Sequence, residues 1–186
     1  TSAVIGRYET HKYHHKLYKY SNPNHKIIHY GVKDKRRDSD LKYYNRLIRD
    51  ANGYKENLSD KELWDNVKLS RSVILPCFHE GFGYTAFEAG IFGVVPVILT
   101  KGNDHATTEY LTRSNVKHFS VEFNDENAIY NTIDESLKVT TEDRLDISNK
   151  LLKYFSVENY INNRIELMDS AKKINTQINT LEDFFN

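Results

Sequence analysis

Short apolar runs recur along the chain at 3–5, 26–30, 73–75, 96–99 and 118–121, each bounded by polar or turn-forming residues. Runs this brief, most of them carrying Val or Ile, predict buried strands. Between them apolar positions fall at helical spacing, which predicts helices over 38–50, 60–70, 85–92 and 126–137. Strands separated by helices imply a mostly parallel sheet covered on both faces, so the class is α/β. Two helix starts carry local chemistry. Ser59 with Glu62 and Thr85 with Glu88 both fit the capping box, in which each side chain satisfies a free amide at the other's position. Beyond Val121 the chain turns helical: Ala128, Ile129, Ile133 and Leu137 share one face, and Ile161, Ile165 and Met168 share another. Two or three terminal helices are expected. Residues 1–171 then form one domain, and the Asn- and Lys-rich stretch 172–186 reads as a tail or a loosely docked helix.

Composition changes this picture little, because 186 residues with 39% apolar and 28% charged content allow one sizeable core. No run of about 18 apolar residues occurs and the opening residues lack a signal-peptide pattern, so the expected location is cytoplasmic, without a membrane span. Entry into an apolar run almost at once, at Ala3, reads as a processed or excised piece. The single Cys77 cannot form an internal disulfide, so stability rests on packing. Charge is more informative. The total is zero, yet residues 1–50 hold 12 Lys/Arg against 5 Asp/Glu, while the remainder holds 14 against 21. A basic region in a neutral chain favours a local anionic ligand, such as a diphosphate, over a broad nucleic-acid surface. The basic run 33–37 keeps the second option open, a solvated loop being its plainer reading. His11, His14 and His15 have no acidic or Cys partner at ligand spacing and read as a polar helix face rather than a metal site. Tyr54, Trp64 and Tyr84 read as packing residues.

The stretch 72–98 concentrates the chemistry: an apolar strand, the loop Cys77-Phe78-His79-Glu80-Gly81-Phe82-Gly83, a short helix through Glu88, and a second strand at Pro96-Val97-Ile98. A strand–loop–helix of this kind presents free backbone amides and a helix N-terminus at the carboxyl end of a parallel sheet, where α/β folds bind ligands. Gly81 and Gly83 allow close backbone approach, and Glu80 and Glu88 offer acceptors from two separate elements. The spacing of Glu80-Gly81-Phe82-Gly83, Phe87-Glu88-Ala89, Gly93 and Pro96-Val97-Ile98 resembles the GT-B glycosyltransferases that include glycogen synthases, sucrose synthases and many bacterial and viral sugar transferases. Ile5-Gly6-Arg7 followed by Lys12 is similar to that class's Gly-Arg strand end. Glu109-Tyr110-Leu111, His118-Phe119 with Asp125-Glu126, and Phe155-Ser156-Val157-Glu158 resemble its later elements. Cys77, Tyr84-Thr85, Gly90 and one extra residue before Pro96 depart from the usual pattern and bear on donor identity. Bacteriophage DNA α-glucosyltransferases are similar over 88–96 and in the Ile-Gly-Arg, Lys spacing.

The resemblance implies a Rossmann-like parallel sheet flanked by helices, forming the C-terminal half of a GT-B enzyme. It implies that Glu80 binds donor-sugar hydroxyls, that Gly81, Phe82, Gly83, Tyr84 and Thr85 serve sugar and phosphate, and that Glu88 binds the ribose. Arg7 and Lys12 would hold the diphosphate, where negative charge grows as the glycosidic bond breaks. His79 is a minor candidate for donor-sugar contact. The implied activity is retaining transfer from a nucleoside diphosphate sugar, a UDP-sugar for preference, with no cofactor and no metal. The implied partners are a missing N-terminal domain and an acceptor that is a glycan, lipid, protein or DNA. A non-catalytic nucleotide-sugar-binding module is the competing class, and an epimerase or phosphorylase of similar architecture is a third.

Overall fold

A computed structural model describes residues 1–8, 12–32, 42–46, 53–76, 82–101, 106–162, 164–165 and 168. Among the described residues there are six strands: β1 (Ser2–Ile5), β2 (Ile27–Gly31), β3 (Tyr54–Glu56), β4 (Ser72–Leu75), β5 (Val95–Thr100) and β6 (Phe119–Glu122). They form one sheet in the order β3-β2-β1-β4-β5-β6, with every pairing parallel. Five regular helices accompany it: α1 (Asp60–Val67), α2 (Tyr84–Ile91), α3 (Ala106–Arg113), α4 (Glu126–Lys138) and α5 (Thr141–Tyr154). Residues 42–46 and 157–162 are also helical. This is the α/β, Rossmann-like arrangement the periodicity implies. The chain divides into two compact units, Thr1–Leu151 and Leu152–Asn186.

Strand alternation sorts the core of the first unit into two layers. Val73, Leu75, Val95 and Ile98 meet Val67 of α1, Ala86 and Phe87 of α2, Leu111 of α3 and Ile147 and Leu151 of α5. Val4, Ile74, Val97, Leu99 and Val121 face Leu17, Tyr20, and Ile129 and Ile133 of α4. A sheet buried on both sides explains why β4 and β5 read as near-continuous apolar runs. Each fully buried Val, Ile or Leu contributes roughly 1.5–3 kcal/mol relative to exposure.

The structure departs from the sequence reading in three places. β3, where no strand was expected, lies at the sheet edge, partly exposed and only three residues long, and Tyr54-Lys55-Glu56 has no apolar run to mark it. The capping box at Ser59–Glu62 is present with both hydrogen bonds. The one expected at Thr85–Glu88 is not: α2 begins a residue earlier, with Gly83 as N-cap and no side-chain cap bond. The histidines after β1 do not form a polar helix face, because the chain there runs through two 3-10 turns, His14–Lys16 and Tyr18–Tyr20, with His14 buried. His11, the run 33–37, most of 38–50 and the tail 172–186 lie outside the described residues.

Candidate functional site

In a parallel sheet of this order the crossover direction reverses between β1 and β4, and the crevice beyond the carboxyl ends of those two strands is where such folds take ligands. Both segments singled out in the sequence arrive there. β1 continues past Ile5 in extended pairing with β2: the Gly6 amide donates to the Tyr30 carbonyl at 3.0 Å and the Tyr8 amide to the Val32 carbonyl at 3.0 Å. Alternation along that extension buries Tyr8 completely and leaves Arg7 exposed. Gly31 permits the approach, since a Cβ there would collide with the Gly6 carbonyl and lie 3.0 Å from the Tyr8 ring. Lys12 follows, half-buried.

From the other side, β4 leads into a loop whose residues 77–81 lie outside the described residues, so Glu80, Gly81 and His79 have no placement. The loop re-emerges at Phe82, whose ring stacks on Phe87 at 4.6 Å and meets Tyr84 and Tyr110 at 4.8 Å each. That ring is an anchor for the loop. Gly83 is buried, and a Cβ on it would lie 2.6 Å from Thr107 Oγ1 and 2.8 Å from a Leu75 methyl. The N-terminus of α2 is thereby pressed onto β4 and α3. Tyr84, expected as a packing residue, meets Phe82 but is 68% exposed, whereas Trp64 packs against Phe92 at 5.7 Å as expected. Thr85 is half-buried and Glu88 lies exposed one turn into α2. The Glu88 carboxyl is held above its usual range, chiefly by desolvation and then by the negative charge of Asp60.

That coupling shows what the sequence reading missed. Asp60 was legible only as the first residue of a capped helix, yet it lines a cavity of about 140 Å³ with Ile5, Tyr30, Gly31, Val32, Leu58 and Leu63. The cavity opens beside the ends of β1 and β2, with apolar walls and an acidic residue at its edge. Two further groups went unrecognised: buried His14 and His29, whose Nδ1 atoms lie 3.2 Å apart, and Tyr8, whose hydroxyl donates to the carbonyls of His29 (3.1 Å) and Lys55 (2.8 Å). Their signal was the alternation of β2, which sends His29 to the interior. Among the described residues, no three His, Cys, Asp or Glu side chains cluster closely enough to hold a metal ion, and no helix is long and apolar enough to cross a membrane.

Residues 1–153 match the family described as glycosyl transferases group 1. The chain belongs to that family. Solved structures with the same fold include sucrose-phosphate synthase from Thermosynechococcus elongatus, at TM-score 0.69 and 16% identity over 93% of this chain and 46% of that one. TarM from S. aureus, in a complex containing UDP, gives 0.61 and 14% over 89% and 35%. The catalytic domain of cholesterol-α-glucosyltransferase from Helicobacter pylori gives 0.58 and 19% over 82% and 98%. No curated protein matches. This group 1 glycosyltransferase chain spans a third to a half of the length of TarM and of the sucrose-phosphate synthase.

Proposed function

We propose that this chain binds a nucleoside diphosphate sugar, a UDP-sugar for preference, as the donor-binding half of a retaining glycosyltransferase. The observation that carries the reading is the convergence at the switch point: exposed Arg7 lies on the extension of β1, and α2, with exposed Glu88 one turn in, follows the neighbouring β4. An arginine fork and the free amides of a helix start are what a diphosphate needs. Glu88 and Asp60 supply acceptors for ribose hydroxyls, and the cavity beside Asp60 offers apolar walls for a base. Glu80 takes the sugar hydroxyls, and the amides of 81–85 serve sugar and phosphate. Lys12 joins Arg7 in meeting the charge that grows on the leaving diphosphate, so this chemistry asks for no metal and no cofactor.

Retention is supported by the family resemblance, and it fits two of the neighbours, one named a cholesterol-α-glucosyltransferase and one bound to α-GlcNAc-glycerol together with UDP. The acceptor and the remaining catalytic groups belong to an N-terminal domain that closes over the donor. A DNA acceptor is the finer version of the reading, carried by the similarity over 88–96. The setting proposed is cytoplasmic.

Thermal denaturation with UDP-, GDP- and ADP-sugars tests the donor. A ligand at 100 times its Kd stabilises the chain by about 2.7 kcal/mol, so the UDP-sugar is expected to raise the melting temperature most. Glu88→Ala removes a hydrogen-bonded charge and is expected to weaken UDP-sugar binding by roughly 10- to 100-fold. No shift with any of the three sugars would sink the donor reading. Turnover by the isolated 186 residues would overturn the claim that this chain is only the donor half.

A further inference from the structure

We propose that the cavity between the 3-10 turns at His14–Lys16 and Tyr18–Tyr20 and the start of α4 binds a neutral sugar ring, a remote residue of an oligosaccharide acceptor. The proposal rests on the transferase reading above and deepens it by naming the acceptor class. The reacting end of that acceptor lies with the N-terminal domain, and this cavity holds what trails from it. Its volume is about 250 Å³, just under the roughly 300–1,000 Å³ of pockets for drug-sized ligands, a size that suits a single sugar ring and part of its neighbour.

The cavity stands on the same edge of the sheet as the donor crevice. Phe123 and Asn124, which form one wall, directly follow β6, and the Phe123 amide donates to the Thr100 carbonyl at the end of β5 at 2.9 Å. In the strand order β5 alone separates β6 from β4, a distance of about 10 Å at ~4.8 Å per strand. An extended oligosaccharide bridges that distance with a few residues. The opposite wall is carried by the connection from β1 to β2, where Tyr13 packs against Phe123 at 5.6 Å and Lys19 pairs with Glu126 of α4.

The lining has the chemistry of a polyol site. Buried Ile129 and Tyr20 give an apolar floor, and half-buried Phe123 adds ring surface beside it. The C–H face of a pyranose is apolar enough to lie on such a surface, while the hydroxyls at its rim need donors and acceptors together. Both are present: the Lys16 ammonium donates, the Asn124 amide does either, and the Glu126 carboxylate accepts. Among the described residues the Lys16 ammonium has no ion pair and the Asn124 side chain no hydrogen bond. Charge favours a neutral ligand over a nucleic acid. Glu126 lines the cavity and Asp125 beside it caps α4, so two lysines stand against two carboxylates, whereas a phosphate backbone calls for cations without acids among them. Binding energy from a remote sugar would hold the acceptor in register with the donor.

The test applies the labelled 186-residue chain to an array of neutral oligosaccharides, sulfated oligosaccharides and single-stranded DNA, with UDP affinity measured separately by calorimetry. Neutral oligosaccharides are expected to bind. Lys16→Ala and Asn124→Ala, both at exposed positions, are each expected to weaken them about threefold to tenfold and to change UDP affinity by less than about twofold. Glu126→Gln keeps the shape and removes the charge. It is expected to weaken a neutral sugar about threefold, because an ionised acceptor bonds more strongly than an amide, whereas an anionic ligand would bind more tightly. Binding to no neutral oligosaccharide, binding that all three variants leave intact, tightening by Glu126→Gln, or retention of DNA in place of sugars each overturns the proposal. If sugars bind with this variant pattern and UDP does not, the cavity is supported and the donor reading fails. If UDP binds and sugars do not, the cavity proposal alone is overturned.

Discussion

The two halves of the sheet are held together by different physics. Around β4 and β5 the contacts are dry: Val73, Ile74, Leu75, Val95, Val97, Ile98 and Leu99 are all buried, and Phe82 stacks on Phe87 above them. Around β1, β2 and β3 the interior is polar and aromatic. Tyr8, His14 and His29 are fully buried, and the Tyr44 hydroxyl meets Tyr54 at 2.6 Å and Glu56 at 2.8 Å. At the opposite end of the same strands Ser2 joins His25 at 2.9 Å and Ser72 at 2.6 Å. Apolar packing is indifferent to pH and tolerant of small shifts. Buried hydrogen bonds are directional, and each carries a desolvation cost if broken. The dry half is therefore expected to be insensitive to pH, whereas the polar half carries buried imidazoles whose protonation costs stability.

The largest test falls on the dry half. Phe87→Ala removes a buried ring, together with the stacking partner of Phe82, and is expected to cost about 3–5 kcal/mol in urea denaturation, equally at pH 7.5 and 5.5. A loss that grows in acid would break the distinction. The polar half predicts the complementary behaviour without any mutation. His14, His25 and His29 all have folded-state values below the ordinary 6.5, with burial as the leading cause in each. The unfolded chain therefore binds more protons than the folded one below about pH 6.5. Stability is fully present above that pH and falls as pH drops toward about 4, where His29 itself takes its proton. His29 alone, shifted from 6.5 to about 4, accounts for roughly 3 kcal/mol over that range at 1.36 kcal/mol per unit. Denaturation midpoints between pH 7 and 4.5 check this, and a flat profile would refute it.

The same contrast explains what was legible in the sequence. Five strands were readable within a residue or so because dry, buried segments leave unbroken apolar runs. The strand and the helix on either side of the 77–81 stretch were readable because β4 and α2 follow one another along the chain, while Glu80 itself lies outside the described residues. The polar half hid its design. β3 at Tyr54–Glu56 looks like any polar stretch, because its Tyr54 and Glu56 find their partner in Tyr44, 10 and 12 residues earlier. His14 resembled a solvated helix residue because its partner, His29, stands on another strand. Thr85 and Glu88 matched a capping box by spacing alone, but Gly83, where Thr107 and Leu75 leave no room for a Cβ, is the N-cap and the helix starts earlier. Pairing across the chain, unlike periodicity within it, leaves no local mark.

Gly83 lets the dry half be sharpened at the site itself. Gly83→Ala would set a methyl 2.6 Å from Thr107 Oγ1 and 2.8 Å from Leu75, an overpacking expected to cost about 1–3 kcal/mol. Thr107 Oγ1 is buried with no hydrogen-bond partner, so Thr107→Ala removes one of the two obstacles without breaking a bond. The double variant is expected to recover part of the loss, and a double-mutant cycle measures how much. If the two losses simply add, the helix start is not packed against Thr107 as the geometry implies, and the picture of a close-packed dry half fails there.

The smallest expected effect lies on α1, which carries the chain from β3 to β4 and so joins the two halves. Ser59 accepts from the Glu62 amide, and the Glu62 carboxylate accepts from the Ser59 amide at 2.9 Å. Ser59→Ala is expected to cost about 1 kcal/mol, as typical N-cap losses do. Hydrogen bonds to Ser59 hold the Glu62 carboxyl below its usual range, so the box is intact above the ordinary carboxylate value and is lost as pH falls through that lowered value. The Ser59→Ala penalty should therefore be the same at pH 7.5 and 5.5, between which only the histidines change. Asp60 follows directly and lines the cavity beside β1 and β2, so the same substitution asks whether the cap also places that carboxylate. A loss of uridine affinity beyond the stability change would show that the helix start is part of the site. Unchanged affinity would leave it a joint between two differently built halves.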